Sequence, residues 1–152
     1  MATLLHVHHT PSPSVHAMFG AAQDGATDRS IRGVRVVAVP ALVATPVHVL
    51  EADGYLLGTP ANLGYLAGAL KHFFDQIYYP CLEATIGRPF GVYVHGNNDT
   101  VGAMRALETI TTGLRWRAVQ PPVAVIGDPS VADLDACREL GAAVAATLAL
   151  EA

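Results

Sequence analysis

The chain has 152 residues, 51% of them apolar and 14% charged, which supports a sizeable core and argues against disorder. Nine Lys and Arg against thirteen Asp and Glu leave a net charge of −4, so a general nucleic-acid binder is not expected. No apolar run reaches the roughly 18–20 residues that span a bilayer. The opening MATLLHVHH has neither the basic segment nor the cleavage site of an export signal. The two cysteines, Cys81 and Cys137, lack metal-ligand spacing and read as thiols. The expectation is one domain over residues 1–152, cytoplasmic, with no nucleic-acid or membrane partner.

Strand-like and helix-like patterns alternate from end to end. Residues 4–8 (LLHVH) read as a short strand, followed by the turn-rich His9-Thr10-Pro11-Ser12-Pro13-Ser14. Val15, Met18, Phe19 and Ala22 then repeat at helical spacing. Residues 34–39 are nearly all apolar and β-branched, as in a strand covered on both faces. Between Pro40 and Pro46 the pattern is weak. Residues 54–58 form a third strand ending at Thr59-Pro60, and Leu66, Leu70, Phe73, Phe74 and Ile77 form a helical stripe that Pro80 is expected to stop. Residues 90–95 form a fourth strand, closed by Gly96-Asn97-Asn98-Asp99, before a helix carrying Ala103, Leu107, Ile110 and Leu114 on one face. Residues 119–126 contain a fifth strand whose first half Pro121 and Pro122 keep out of a central ladder position. Ser130 and Asp133 open the last helix as an S-x-x-D start.

Five strands alternating with helices imply an α/β fold, a parallel sheet with helices on both faces. Ligands of such sheets bind beyond the carboxyl ends of the strands, where strand order reverses. That rule selects the segments after strands one, three and four. In the first, Thr10, Ser12 and Ser14 place three hydroxyls directly before a helix that Val15 enters. This is either a phosphate cradle at the positive end of the helix or an ordinary Ser/Thr cap. In the second, Thr59, Pro60, Ala61, Asn62, Leu63 and Gly64 specify a fixed irregular backbone. Its amide and carbonyl groups can read the edge of a flat ring, with Leu63 or Tyr65 adding apolar contact; otherwise it is a tight turn. In the third, His95, Gly96, Asn97 and Asn98 are polar and glycine-rich, while Asp99 or Thr100 can cap the next helix. His95 either donates to a ligand or caps the turn. His6, His8 and His9 have no carboxylate or thiol near them in sequence and read as strand-end histidines, not a metal site. Lys71 and Asp75 read as an i, i+4 ion pair, Tyr78, Tyr79 and Trp116 as core or interface residues, and Cys81 as a structural thiol.

These segments together carry a resemblance. Ala52-Asp53-Gly54-Tyr55-Leu56-Leu57-Gly58-Thr59-Pro60, continuing through Gly64 to Leu70-Lys71-His72-Phe73-Phe74-Asp75, is similar to the pattern of flavodoxin-like proteins. The likeness is to their NADPH-dependent FMN reductase and quinone reductase branch, and Arg88-Pro89-Phe90-Gly91-Val92 also fits it. In the first loop Thr10, Ser12 and Ser14 keep the hydroxyl character of the family, but Pro13 stands where a Gly is usual and Val15 where a Thr is usual.

The resemblance implies a flavodoxin-like three-layer sandwich with a five-stranded parallel sheet in the order 2-1-3-4-5. It implies FMN as cofactor, NAD(P)H as co-substrate, and a small-molecule electron acceptor such as a quinone or a second flavin. The phosphate falls to Thr10, Ser12, Ser14 and Val15. The ring falls to Thr59 through Gly64 and to His95 through Asn98, with Tyr65 on the substrate side. No catalytic side chain is named, because the flavin carries the hydride chemistry. A homodimer or homotetramer, with an interface around residues 74–82, is expected by the same likeness. The alternatives are a flavodoxin-type electron carrier and a protein of this fold that has lost FMN.

Overall fold

The computed structural model describes residues 1–152. In chain order the elements are β1 (Ala2–His8), α1 (Pro13–Ala26), β2 (Val34–Pro40), α2 (Pro46–Glu51), β3 (Gly54–Asn62) and β4 (Tyr65–Leu66). They continue with α3 (Gly68–Cys81), β5 (Pro89–Gly96), α4 (Val101–Leu114), β6 (Arg117–Ala118), β7 (Val123–Ile126) and α5 (Val131–Glu151). The long strands pair in parallel in the order β2-β1-β3-β5, and β6 and β7 both pair with β5 at the far edge. This is the expected five-strand order with its last strand split in two. Pro121 and Pro122 lie in the split, where two residues without an amide donor interrupt the ladder.

The pleat of β1 divides the core between the two faces of the sheet. Leu4 joins Val15, Met18, Leu56, Leu140 and Val144 on the face covered by α1 and α5. Leu5 and Val7 join Leu57, Phe73, Leu107 and Trp116 on the face covered by α2, α3 and α4. Trp116 stacks on Tyr55 at 4.2 Å and donates its indole N–H to Thr85 Oγ1 at 2.8 Å, so it is a core residue with its polar atom satisfied. Tyr79, in contrast, is exposed.

Three details differ from the sequence pattern. The third strand does not end at Gly58; it runs to Asn62 because β4 turns back and pairs Ala61 with Leu66 and Asn62 with Tyr65. Pro80 lies inside α3, which ends at Cys81. Proline's fixed φ is itself helical and removes only one amide donor from the last turn, so the helix runs one residue further. Finally, α2 follows the weakly patterned stretch. A Thr45–His48 capping box and Pro46 in the first turn start it, and six residues are too few to show an apolar period. Its last carbonyls are held by Arg88, whose Nη1 donates to Val49, Leu50 and Ala52 at 3.0, 3.1 and 2.6 Å.

Several local readings hold. The Ser130–Asp133 capping box starts α5, Lys71 Nζ lies 2.6 Å from Asp75 Oδ1, and both cysteines are free and buried. Burial pushes the Cys137 thiol up to about 12 and raises that of Cys81, so both are poor thiolates. No helix is long and apolar enough to cross a membrane.

Candidate functional site

The carboxyl ends of the strands are tied to one another across one edge of the sheet. The Ala41 amide donates to the His8 carbonyl at 2.7 Å, and the His9 amide to the Gly58 carbonyl at 3.0 Å. β3 and β5 stay paired as far as Pro60 and His95. The Gly127 amide donates to the Gly96 carbonyl at 2.9 Å. The chain leaves β1 into α1 on one face and leaves β3 into α3 on the other. The neighbours β1 and β3 therefore form the switch point, with the first and second loops on its two sides.

On the first side, Thr10, Ser12 and Ser14 are half-buried at the start of α1. Ser12 is the N-cap, its Oγ accepting the Val15 amide at 3.3 Å, so the cap reading is correct for this residue. Capping uses a lone pair and leaves the hydroxyl proton for a ligand. No acidic residue lies in the first turn of α1, so nothing there repels an anion. Val15 has a fully buried side chain and offers the site only backbone. Thr10 Oγ1 lies 2.7 Å from His8 Nδ1, a contact that sequence reasoning missed. Its signal was the i, i+2 placement of a histidine and a hydroxyl across the strand end.

The histidines of β1 have distinct surroundings. His6 is fully buried, with Nδ1 2.8 Å from Gln23 Oε1 and Nε2 2.7 Å from the Tyr93 hydroxyl. Because Gln23 Oε1 only accepts, the His6 proton sits on Nδ1 and Nε2 accepts from Tyr93. Burial holds this imidazole down to about 4, so it is neutral at pH 7. Phe19 of α1 packs on both rings, 4.6 Å from His6 and 4.3 Å from His8. Burial and then the neighbouring His9 lower the His8 imidazole as well.

On the second side, β3 and β4 form a hairpin whose tip is Leu63 at φ 51° and Gly64 at φ 75°. Two successive positive φ values mark a type I′ turn, which usually selects Asn-Gly. A leucine in the left-handed region is strained, and here the side chain is fully exposed, at 106%. The tip rests on the first turn of α4, where a Cβ on Gly102 would come within 1.9 Å of the Gly64 carbonyl oxygen. The second and third loops are thereby brought together, which neither loop's sequence indicates.

The remaining candidates divide by exposure. Asn62, Gly64, Tyr65, Asn97 and Asn98 are exposed, and Ala61 is half-buried. Thr59 is fully buried and donates its hydroxyl to the Pro60 carbonyl at 2.8 Å, so its side chain is committed to the turn. Thr100 holds the N-cap position of α4 without a side-chain bond, and it is Asp99 that accepts the Val101 amide, at 2.8 Å. His95 is 6% exposed and its Nε2 lies 2.8 Å from the Gly127 carbonyl oxygen. It therefore donates from Nε2 and ties the third loop to the one after β7. A cavity of about 860 Å³ lies in the gap between α4 and the split edge strand, lined by Phe90, Val92, Met104, Leu107, Trp116 and Pro121 and reaching Thr100 and Val101 just after the third loop.

The donor set fits a phosphorylated flat ligand. Three hydroxyls and the free end of α1 suit a phosphate, while exposed backbone, two asparagines and the Leu63–Tyr65 hairpin suit the edge and face of a ring. Strand order, helices on both faces and the position of these loops define a flavodoxin-like α/β fold.

No family model matches the sequence. A flavodoxin of Aquifex aeolicus is 27% identical over 178 aligned positions, covering 99% of this chain and 89% of that protein. A quinone-oxidoreductase of Triphysaria versicolor is 31% identical over 74 positions, 45% of this chain and 36% of that protein. Among solved structures, the flavodoxin, WrbA-like protein from Agrobacterium tumefaciens superposes with a TM-score of 0.76 at 21% identity, covering 99% of each chain.

Proposed function

We propose that this chain binds FMN and passes reducing equivalents from NAD(P)H to a small acceptor such as a quinone. The observation that carries the reading is the pairing of a hydroxyl-lined helix start with the Leu63–Gly64 hairpin tip, one on each side of the switch point. The bound flavin would supply the hydride chemistry, taking two electrons from the nicotinamide and giving them to the acceptor. The protein's part is to hold and expose it. Ser12 and Ser14, with Thr10, donate hydroxyl protons to the phosphate. Backbone groups from Ala61 to Gly64 and from Gly96 to Asn98 hold the ring edge. The third loop has no aromatic residue to cover the ring, and Tyr65, half-exposed on the hairpin, lines the open side where nicotinamide and acceptor dock in turn. The similarity to the Triphysaria quinone-oxidoreductase supports the quinone, over less than half of the chain.

A second reading, an electron carrier, is favoured by the name and 99% coverage of the Aquifex relative. Anaerobic titration of the FMN-loaded protein with NADH or NADPH separates the two. Loss of the flavin's visible absorption is expected. A protein that binds FMN yet stays oxidised with both nicotinamides refutes the reductase and leaves the carrier. We place the protein in the cytoplasm as a homodimer or homotetramer, associating through the end of α3, where Tyr79 is 81% exposed.

A further inference from the structure

The phosphate site proposed above lacks the usual sources of positive character. Residues 1–28 contain no Lys or Arg, and Pro11 and Pro13 remove two amide donors from the loop. The loop depends on its hydroxyls, and a hydroxyl has one proton to give. For Thr10 that proton has two possible destinations, because His8 Nδ1 lies 2.7 Å from Oγ1. If Nδ1 carries a lone pair, Thr10 donates inward to it and turns only oxygen lone pairs toward an anion. If Nδ1 carries the proton, Thr10 accepts from His8 and its own O–H is released outward.

We propose that His8 is a positioning residue for the flavin phosphate: with its proton on Nδ1 it donates to Thr10 Oγ1 and so frees the Thr10 hydroxyl proton for the phosphate. The inference rests on the assignment of the phosphate to this loop.

The packing fits this role. Phe19 holds the His8 ring at 4.3 Å, with the His6 ring centroid 5.8 Å away, so the imidazole has little freedom to leave Thr10. His6 cannot replace it, since Gln23 and Tyr93 occupy both of its nitrogens. The groups around His8 are all without formal charge except where histidines titrate. β2 and β3 present Pro40 and Gly58 in its register, α1 presents Phe19, and its own strand presents His6 and, just beyond, His9. Half-burial and His9 both favour the neutral ring. The relay therefore works through the neutral Nδ1–H tautomer, which an anion outside Thr10 selects, and it needs a donor at that position, not a full charge.

Binding of FMN and of riboflavin to the apoprotein, followed by flavin fluorescence, tests this without any turnover. The two ligands differ only in the phosphate, so their affinity ratio reports on the loop. The wild type is expected to prefer FMN by tenfold or more, and Ser12→Ala is expected to reduce that preference. His8→Leu, which has no donor, should lose about tenfold in FMN affinity and nothing in riboflavin affinity. His8→Asn, whose amide N–H stands near the place of Nδ1, should keep most of the preference. In a Thr10→Val background His8→Leu should add no further loss. A wild type without preference for FMN refutes the phosphate assignment itself. A preference that Ser12→Ala lowers but His8→Leu leaves intact overturns the relay alone. Equal loss of both ligands in a folded His8→Leu protein, or a His8→Asn protein as impaired as His8→Leu, overturns it too. Should His8→Leu fail to fold, His8→Ala takes its place in the same cycle with Thr10→Val, and effects of the two that add independently refute the contact.

Discussion

Buried His6 makes the fold acid-sensitive in a way that one substitution should expose. In the unfolded chain its imidazole titrates near 6.5, and in the fold burial holds it down to about 4. The folded state thus binds fewer protons than the unfolded state below pH 6.5. Stability from this group is complete above 6.5 and is lost as pH falls toward 4. At about 1.4 kcal/mol per unit, the loss is about 2 kcal/mol by pH 5 and about 3 kcal/mol by pH 4. His6→Asn removes the titrating ring while keeping a donor for Gln23. It leaves the buried Tyr93 hydroxyl without its acceptor, so at pH 7 the variant should be less stable by about 1–3 kcal/mol. Urea unfolding of both proteins at pH 7 and pH 5 makes the measurement. His8, also shifted downward, contributes to both proteins, so the comparison isolates His6. The wild type should lose about 2 kcal/mol more than the variant between these pH values. Equal losses would refute the buried neutral imidazole.

Leu63→Asn should raise stability by about 1 kcal/mol, seen as a higher Tm, because asparagine tolerates the left-handed backbone that leucine occupies at φ 51°. Gly102→Ala should destabilise by about 1–3 kcal/mol and weaken flavin binding together, since its Cβ must push the Gly64 carbonyl, and with it the hairpin, off α4. Unchanged Tm and flavin affinity would show that the hairpin has another support. Tyr65→Ala should raise KM for the nicotinamide more than it changes FMN affinity, measured by steady-state NAD(P)H oxidation with a quinone beside a fluorescence titration.

The alternation of β-branched runs with helical stripes in the sequence was enough for the α/β class, and the resemblance supplied strand order. The class rests on local period and on the rule that parallel strands need crossovers. The Ser130–Asp133 and Lys71–Asp75 pairs were equally legible, because each closes within four residues. The three loops could be placed at one edge from element order alone. What each side chain does there could not be read that way. His95 sits at the end of its strand as expected, yet its partner is a carbonyl 32 residues away, and the buried Thr59 hydroxyl turns back on its own loop. The hairpin from Asn62 to Tyr65 forms on a Leu-Gly pair that turn propensity disfavours, and it is held by contact with Gly102. His6, His8 and His9 look alike in sequence. The fold buries the first between Gln23 and Tyr93, 17 and 87 residues distant, and sets the second against Thr10. Sequence determines such groups only to the extent that their partners are near in the chain. A proton's place on an imidazole is set by the acceptor that packing brings to it, and that is decided in three dimensions.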